Sequence, residues 1–125
     1  MKKYLDGGVT AYIYWNIVLA DKGTSSWGWN QNALIQIDKT SRKITYTPEY
    51  YAFKHFSCFI PVGSSKVESA GSFNNVVAFA SSHNEEVIVI YNPESTSKPI
   101  TIKTGNKFFT AVLQGKSFNT FTLKL

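Results

Sequence analysis

The sequence predicts a mainly β chain in two parts, an α/β segment over residues 1–64 followed by an antiparallel β-sandwich over residues 65–125. Two observations carry that reading. Val9 to Leu19 is a nearly continuous run of apolar, β-branched and aromatic residues, the pattern of a strand covered on both faces. From Lys66 onward, short apolar runs recur at about ten-residue spacing between turn clusters, the pattern of a sandwich or barrel.

Each element follows from local chemistry. Met1 to Asp6 reads as the end of a helix, with Gly7-Gly8 as its left-handed stop. Helix, short turn and buried strand make the αβ step of an α/β barrel or a doubly wound sheet. Asp21 to Asn32 is a loop rich in Gly, Ser, Asn and Trp. Ala33 to Asp38 and Lys43 to Tyr46 are short strand-like pieces around a polar turn at Lys39 to Arg42. Thr47-Pro48-Glu49 places a hydroxyl cap, a proline at the first helical position and an acid in the first turn, so a helix is expected from Pro48 to about Phe56–Cys58. The strands of the second part are expected at 67–70, 75–80, 86–91, 100–103, 107–113 and 118–125. In the last, Phe121, Leu123 and Leu125 should point inward and Thr120, Thr122 and Lys124 outward.

Composition excludes several classes. With 125 residues the chain is one domain's worth, and 43% apolar content supplies a core. The net charge of +5 comes from thirteen scattered basic residues, with no dense block or Arg-rich stripe, so a solvated surface is expected and no nucleic-acid partner. The longest apolar stretch is too short to span a bilayer. Asp6-Gly7-Gly8 interrupts the N-terminal region where a signal peptide would need its apolar core, so localisation stays open. Cys58 is the single cysteine; its setting in Phe56-Ser57-Cys58-Phe59 predicts a buried structural thiol.

Catalytic and metal chemistry find little support. The acids are Asp6, Asp21, Asp38, Glu49, Glu68, Glu85, Glu86 and Glu94, and no facing pair of the kind that glycoside hydrolysis needs is evident. Asp21 alone follows the end of the expected buried strand, where α/β barrels place chemistry, but without a partner it reads as a solvated loop acid. His55 and His83 share no metal-ligand spacing, and neither a nucleophile elbow nor a phosphate-cradling loop occurs. No catalytic residue, metal or cofactor is therefore assigned.

The aromatics carry the remaining signal. Trp15 and Asn16 lie towards the end of the apolar run, and Trp27, Trp29 and Asn30 sit in the loop beyond it, with Gln31 and Asn32 interleaved. Indole faces stack on the C–H faces of sugars and amides hydrogen-bond hydroxyls, so Trp15, Asn16, Trp27, Trp29 and Asn30 form a candidate sugar-binding edge.

Gly8 to Leu19 resembles the eighth barrel strand of glycoside hydrolase family 30, the family of glucosylceramidases, endo-β-1,6-glucanases and related xylanases. Trp27-Gly28-Trp29-Asn30-Gln31-Asn32, Ile37-Asp38, Tyr46 to Tyr51, Lys54 to Ser57 and Ile60 to Ser64 continue the likeness. Val87 to Asn92 and Ser117 to Phe121 are similar to the family's C-terminal β-sandwich. The Trp-Gly-Trp-Asn loop looks more like the bacterial β-1,6-glucanase and glucosylceramidase-like branch than the xylanases.

The resemblance implies a retaining hydrolase of (β/α)8 barrel plus side sandwich, acting on β-linked glucans or glucosides and secreted or periplasmic as a whole. Its acid/base and nucleophile glutamates follow strands four and seven, so both are expected upstream of Met1. The chain is then the C-terminal part of such an enzyme: residues 1–64 a remnant of the barrel (strand 8, loop, helix 8), residues 65–125 the sandwich, inactive by itself. Trp15 is expected to wall a sugar subsite, with Trp27, Trp29 and Asn30 above it. One strand of eight cannot close a barrel. Val9 to Leu19 is thus expected to join the sandwich, to swap with another copy or to pack in an oligomer interface. Because an N-terminal strand contributes to the family's sandwich, a vacant sheet edge inviting the same association is also expected. The alternatives are a stand-alone carbohydrate-binding module and a structural domain that packs against a partner.

Overall fold

A computed structural model describes residues 1–125, the Lys22 side chain apart. The chain divides into two compact units, Lys3–Ser57 and Cys58–Leu125.

In the first unit, helix α1 spans Lys2–Asp6. Gly7 keeps a negative φ of −80°, and Gly8, at φ 85°, makes the left-handed step instead. Strand β1 covers only Val18–Ala20, which corrects the expected strand over Val9 to Leu19. The backbone ladder begins at Asn16, whose N–H donates to Asn32 O at 3.4 Å and whose carbonyl accepts from Leu34 N–H at 3.1 Å. The segment before it still alternates. Tyr12 and Tyr14 each lie 5.9 Å, ring centre to ring centre, from Phe53. Ile13 (91%), Trp15 (80%) and Ile17 (64%) are left exposed. The apolar run is therefore packed only where Tyr12 and Tyr14 meet Phe53, and Val9 and Tyr12 still remain 39% and 40% exposed. A strand buried on both faces needs neighbours on both, and this unit supplies only that partial cover.

Strand β2 (Ile35–Ile37) runs parallel to β1, pairing Val18 with Ile35, and β3 (Ile44–Tyr46) returns antiparallel, pairing Ile35 with Tyr46. Their connection is tightened by Asp38, whose Oδ1 accepts from Thr40 N–H at 3.0 Å and Ser41 N–H at 2.7 Å. Helix α2 spans Pro48–Ser57, as the Thr-Pro-Glu start predicts. The Thr47 hydroxyl accepts from Tyr50 N–H at 3.3 Å and shares its one proton between the carbonyls of Ala33 (2.8 Å) and Leu34 (3.0 Å), so a single side chain caps the helix and ties it to the approach to β2. Cys58 falls just past the end of α2 and is exposed, against the expectation of a buried thiol.

The second unit is a two-layer β structure. Strands β4 (Ser65–Val67), β5 (Val76–Ala80), β6 (Glu85–Asn92) and β9 (Ser117–Lys124) form an antiparallel sheet in the order β4-β5-β6-β9. Strands β7 (Lys98–Thr104) and β8 (Lys107–Leu113) form a hairpin. Ile100, Ile102 and Leu113 from the hairpin pack with Ala78, Ile88, Ile90, Phe121 and Leu123 from the sheet, which makes the core of the sandwich. Val87 and Val89 are buried as well, so β6 is covered on both faces and its sequence reads as an unbroken apolar run. In β9, Phe121 and Leu123 pack on the core while Thr122 and Lys124 are exposed. Leu125 lies beyond the strand and is half exposed, which corrects its inward assignment. A cavity of about 770 Å³ opens between β7 and the sheet, lined by Val67, Phe73, Val76, Ile88, Ile100 and Ile102 among others.

Candidate carbohydrate-binding rim

The rim residues lie in the first unit, on two arms. The first is the approach to β1, carrying Trp15 and Asn16. The second is the loop that leaves β1 through a 3₁₀ turn at Asp21–Gly23 and returns to β2. Its neck is closed by Gln31 N–H donating to Gly23 O at 2.8 Å, and Thr24 bridges Asn30 just beyond. At its tip, Ser25 N–H donates to Trp29 O at 2.9 Å and Gly28 N–H to Ser25 O at 3.0 Å. That turn needs a left-handed residue, and Gly28 at φ 86° supplies it without steric cost.

The tight tip sets the geometry of its indoles. Trp27 and Trp29 lie 5.2 Å apart, centre to centre, with planes inclined by 38°. They are 77% and 55% exposed, so the pair presents aromatic surface to solvent. Asn30 is exposed beside them. On the first arm Trp15 is exposed, and the Asn16 side-chain Nδ2 donates to Gln31 Oε1 at 3.4 Å. The structure thus joins Trp27 to Trp29 by ring contact, Thr24 to Asn30 by backbone, and Asn16 to Gln31 by side chain.

Two residues that sequence reasoning did not assign hold this arrangement. Gly23 is buried at φ 76°, and a Cβ there would come within 2.2 Å of Gln31 O. Lys39 anchors Asp21, donating from its backbone N–H to Oδ1 at 3.1 Å and from Nζ to Oδ2 at 2.9 Å. Those bonds hold the Asp21 carboxyl below the usual carboxylate range. The glycine left a signal only as one loop glycine among others, and the lysine left none, being eighteen residues away.

Other acids are likewise engaged locally. Asp38 organises its turn, Glu94 pairs with Lys98 at 2.7 Å, and Glu86 accepts from the Thr104 hydroxyl. Among the described residues no helix is long and apolar enough to cross a membrane.

Residues 62–121 match the sequence profile of the glycosyl hydrolase family 30 beta sandwich domain. They are a family 30 β-sandwich domain. The match falls on the two-layer unit described above, and the wider chain follows the same kinship. It is 30% identical over 118 residues to the lysosomal acid glucosylceramidase of Mus musculus, covering 90% of this chain and 23% of that protein. Over 64 residues it is 34% identical to the putative glucosylceramidase 3 of Caenorhabditis elegans, covering 50% of this chain and 12% of that one. Its fold matches SrfJ from Salmonella typhimurium with a TM-score of 0.77 at 23% identity, and the endo-beta1,6-glucanase BT3312 with a TM-score of 0.73 at 22% identity. Each of these two alignments covers 89% of this chain and 26% of the other. The chain therefore spans less than a third of the length of each of these proteins, and the alignment with the mouse glucosylceramidase extends beyond the sandwich into the unit that carries the indoles.

Proposed function

We propose that these 125 residues serve a family 30 β-glycosidase as its sandwich domain and as part of its sugar-binding rim, while the two catalytic glutamates of the double-displacement reaction come from elsewhere in the enzyme. The observation that carries this reading is the exposed Trp27–Trp29 pair, held 5.2 Å apart on a hydrogen-bonded turn. Ordering exposed aromatics before a ligand arrives lowers the entropic cost of binding. Sugar C–H faces gain from such a surface, and Trp15, Asn16 and Asn30 supply the adjoining aromatic and polar edge. The kinship with glucosylceramidases and a β-1,6-glucanase favours a β-linked glucan or glucoside as the substrate of the whole enzyme.

The test is a titration of the 125-residue chain with β-1,6-linked gluco-oligosaccharides, followed by tryptophan fluorescence. Saturable quenching is expected, weakened about tenfold in Trp27→Ala or Trp29→Ala by loss of ~1.4 kcal/mol of aromatic contact. Product analysis should find no cleavage. Hydrolysis by the purified chain would refute the assignment of the catalytic acids, and absence of any quenching would refute the rim.

The same reading expects the chain by itself to self-associate through the bare Ile13–Trp15–Ile17 edge, since exposed apolar patches favour association. Light scattering should give a mass above 14.0 kDa that Ile13→Lys restores to the monomer value. A monomeric wild type at high concentration contradicts it.

A further inference from the structure

The two arms of the rim share a side-chain link that the functional reading leaves without a role. Gln31 closes the neck of the Trp27–Trp29 loop through its backbone N–H, which donates to Gly23 O. Its side-chain Oε1 meanwhile accepts from Asn16 Nδ2 on the other arm. Asn16 is itself located by its backbone, bonded on one side to Asn32 and on the other to Leu34. One residue therefore belongs to the loop by its main chain and reaches the Trp15–Asn16 arm by its side chain.

Resting on the rim reading above, we propose that Gln31 is a positioning residue. It holds the Trp15–Asn16 arm and the Trp27–Gly28–Trp29 tip in one orientation, so that a β-linked gluco-oligosaccharide longer than a disaccharide meets both arms at once. The Trp27–Trp29 pair is fixed by its own turn and does not need this link, so a single sugar ring stacked on that pair is indifferent to Gln31. A longer ligand gains from the second arm only if the arms are already oriented, because ordering them during binding subtracts from its affinity. The role demands an acceptor at this position. Glutamate keeps an oxygen facing Asn16 Nδ2, while methionine keeps the length and loses the strong acceptor.

The experiment compares wild type, Gln31→Met and Gln31→Glu in binding methyl β-glucoside and a β-1,6-linked gluco-tetraoside. It also records the indole N–H resonances of Trp15, Trp27 and Trp29 without ligand. Gln31→Met should weaken tetraoside binding about tenfold, the worth of one hydrogen bond, and leave methyl β-glucoside binding unchanged. Gln31→Glu should restore it. Without ligand, the Trp15 indole signal should move in Gln31→Met and stay near wild type in Gln31→Glu, while the Trp27 and Trp29 signals stay in place in both. Equal losses for both sugars, no loss for either, or Gln31→Glu as weak as Gln31→Met would overturn the proposal. If the wild type binds neither sugar, the rim reading falls by itself and the Trp15 indole signal decides the positioning role: movement in Gln31→Met with recovery in Gln31→Glu upholds it, and an unmoved signal overturns it.

Discussion

Lys39 holds the Asp21 carboxylate at both oxygens, with its backbone N–H 3.1 Å from Oδ1 and its Nζ 2.9 Å from Oδ2. An acid just past the end of β1 is thereby turned into a brace between the start of the indole loop and the β2–β3 connection. Asp21 adopts φ 50°, a left-handed conformation that Asp tolerates better than most residues.

The brace has a pH signature. Because the folded-state pKa of Asp21 lies below its unfolded value of about 3.9, the stabilisation it gives is fully present above that value and is lost as pH falls through the folded pKa. Lys39→Met should raise the Asp21 pKa towards 3.9 in a carboxyl NMR titration. An unchanged titration midpoint would show that the lysine is not the cause.

Gly23→Ala should open the loop neck. The added Cβ would lie 2.2 Å from Gln31 O and 3.1 Å from Leu19 Cδ1, at a backbone angle that L-residues avoid. A local penalty of more than ~2 kcal/mol is expected, read as loss of amide-exchange protection at Gln31 while the β5–β6–β9 amides stay protected.

Thr47→Ala removes the α2 cap and the hydroxyl bond shared by two carbonyls ahead of β2. A loss of ~1–2 kcal/mol in urea unfolding is expected, with most of it recovered in Thr47→Ser, which keeps the oxygen. Equal behaviour of the two variants would mean that the methyl group, not the hydroxyl, carries the effect.

In the sandwich, Asn92 should be the most sensitive polar residue. It is fully buried, and the two protons of its Nδ2 are shared among the carbonyls of Thr96 (2.9 Å), Gln114 (3.0 Å) and Leu113 (3.3 Å) while its Oδ1 accepts from Glu94 N–H (3.1 Å). Those bonds strap the β6–β7 and β8–β9 turns together. Asn92→Leu keeps the branched shape, adds bulk and strands these partners in a buried site, so a loss of ~3 kcal/mol or more is expected in thermal or urea unfolding.

Cys58, exposed past the end of α2, should react with a maleimide at the rate of a free thiol under native conditions. Labelling that requires denaturant would show that the thiol is covered in solution.

Much of this fold was legible in the residues. The α2 start was readable because Thr-Pro-Glu acts locally: a cap oxygen, a preset φ and an early acid all operate within one turn. The sandwich strands were readable because turn residues punctuate apolar runs of the right length. The candidate rim indoles could be nominated from their spacing, and the structure leaves them exposed. Cys58 and Leu125 were misread for one shared reason, since each lies just past the end of its element. Cys58 has apolar neighbours in sequence but lies in the turn where the helix stops, so composition pointed inward while geometry put it outside. Leu125 continued an alternating pattern one residue past the last ladder pair.

The chain's own residues determined the β-rich class, the capped helix and the positions of the tryptophans, because each depends on interactions a few residues long. Tertiary structure alone decided that Tyr12 and Tyr14 meet Phe53 while Ile13, Trp15 and Ile17 stay exposed, that Lys39 captures Asp21, and that Gln31 reaches Asn16. Those outcomes depend on which neighbour arrives from fifteen or more positions away in the chain, and apolar periodicity shows that a side chain wants cover without naming what will cover it.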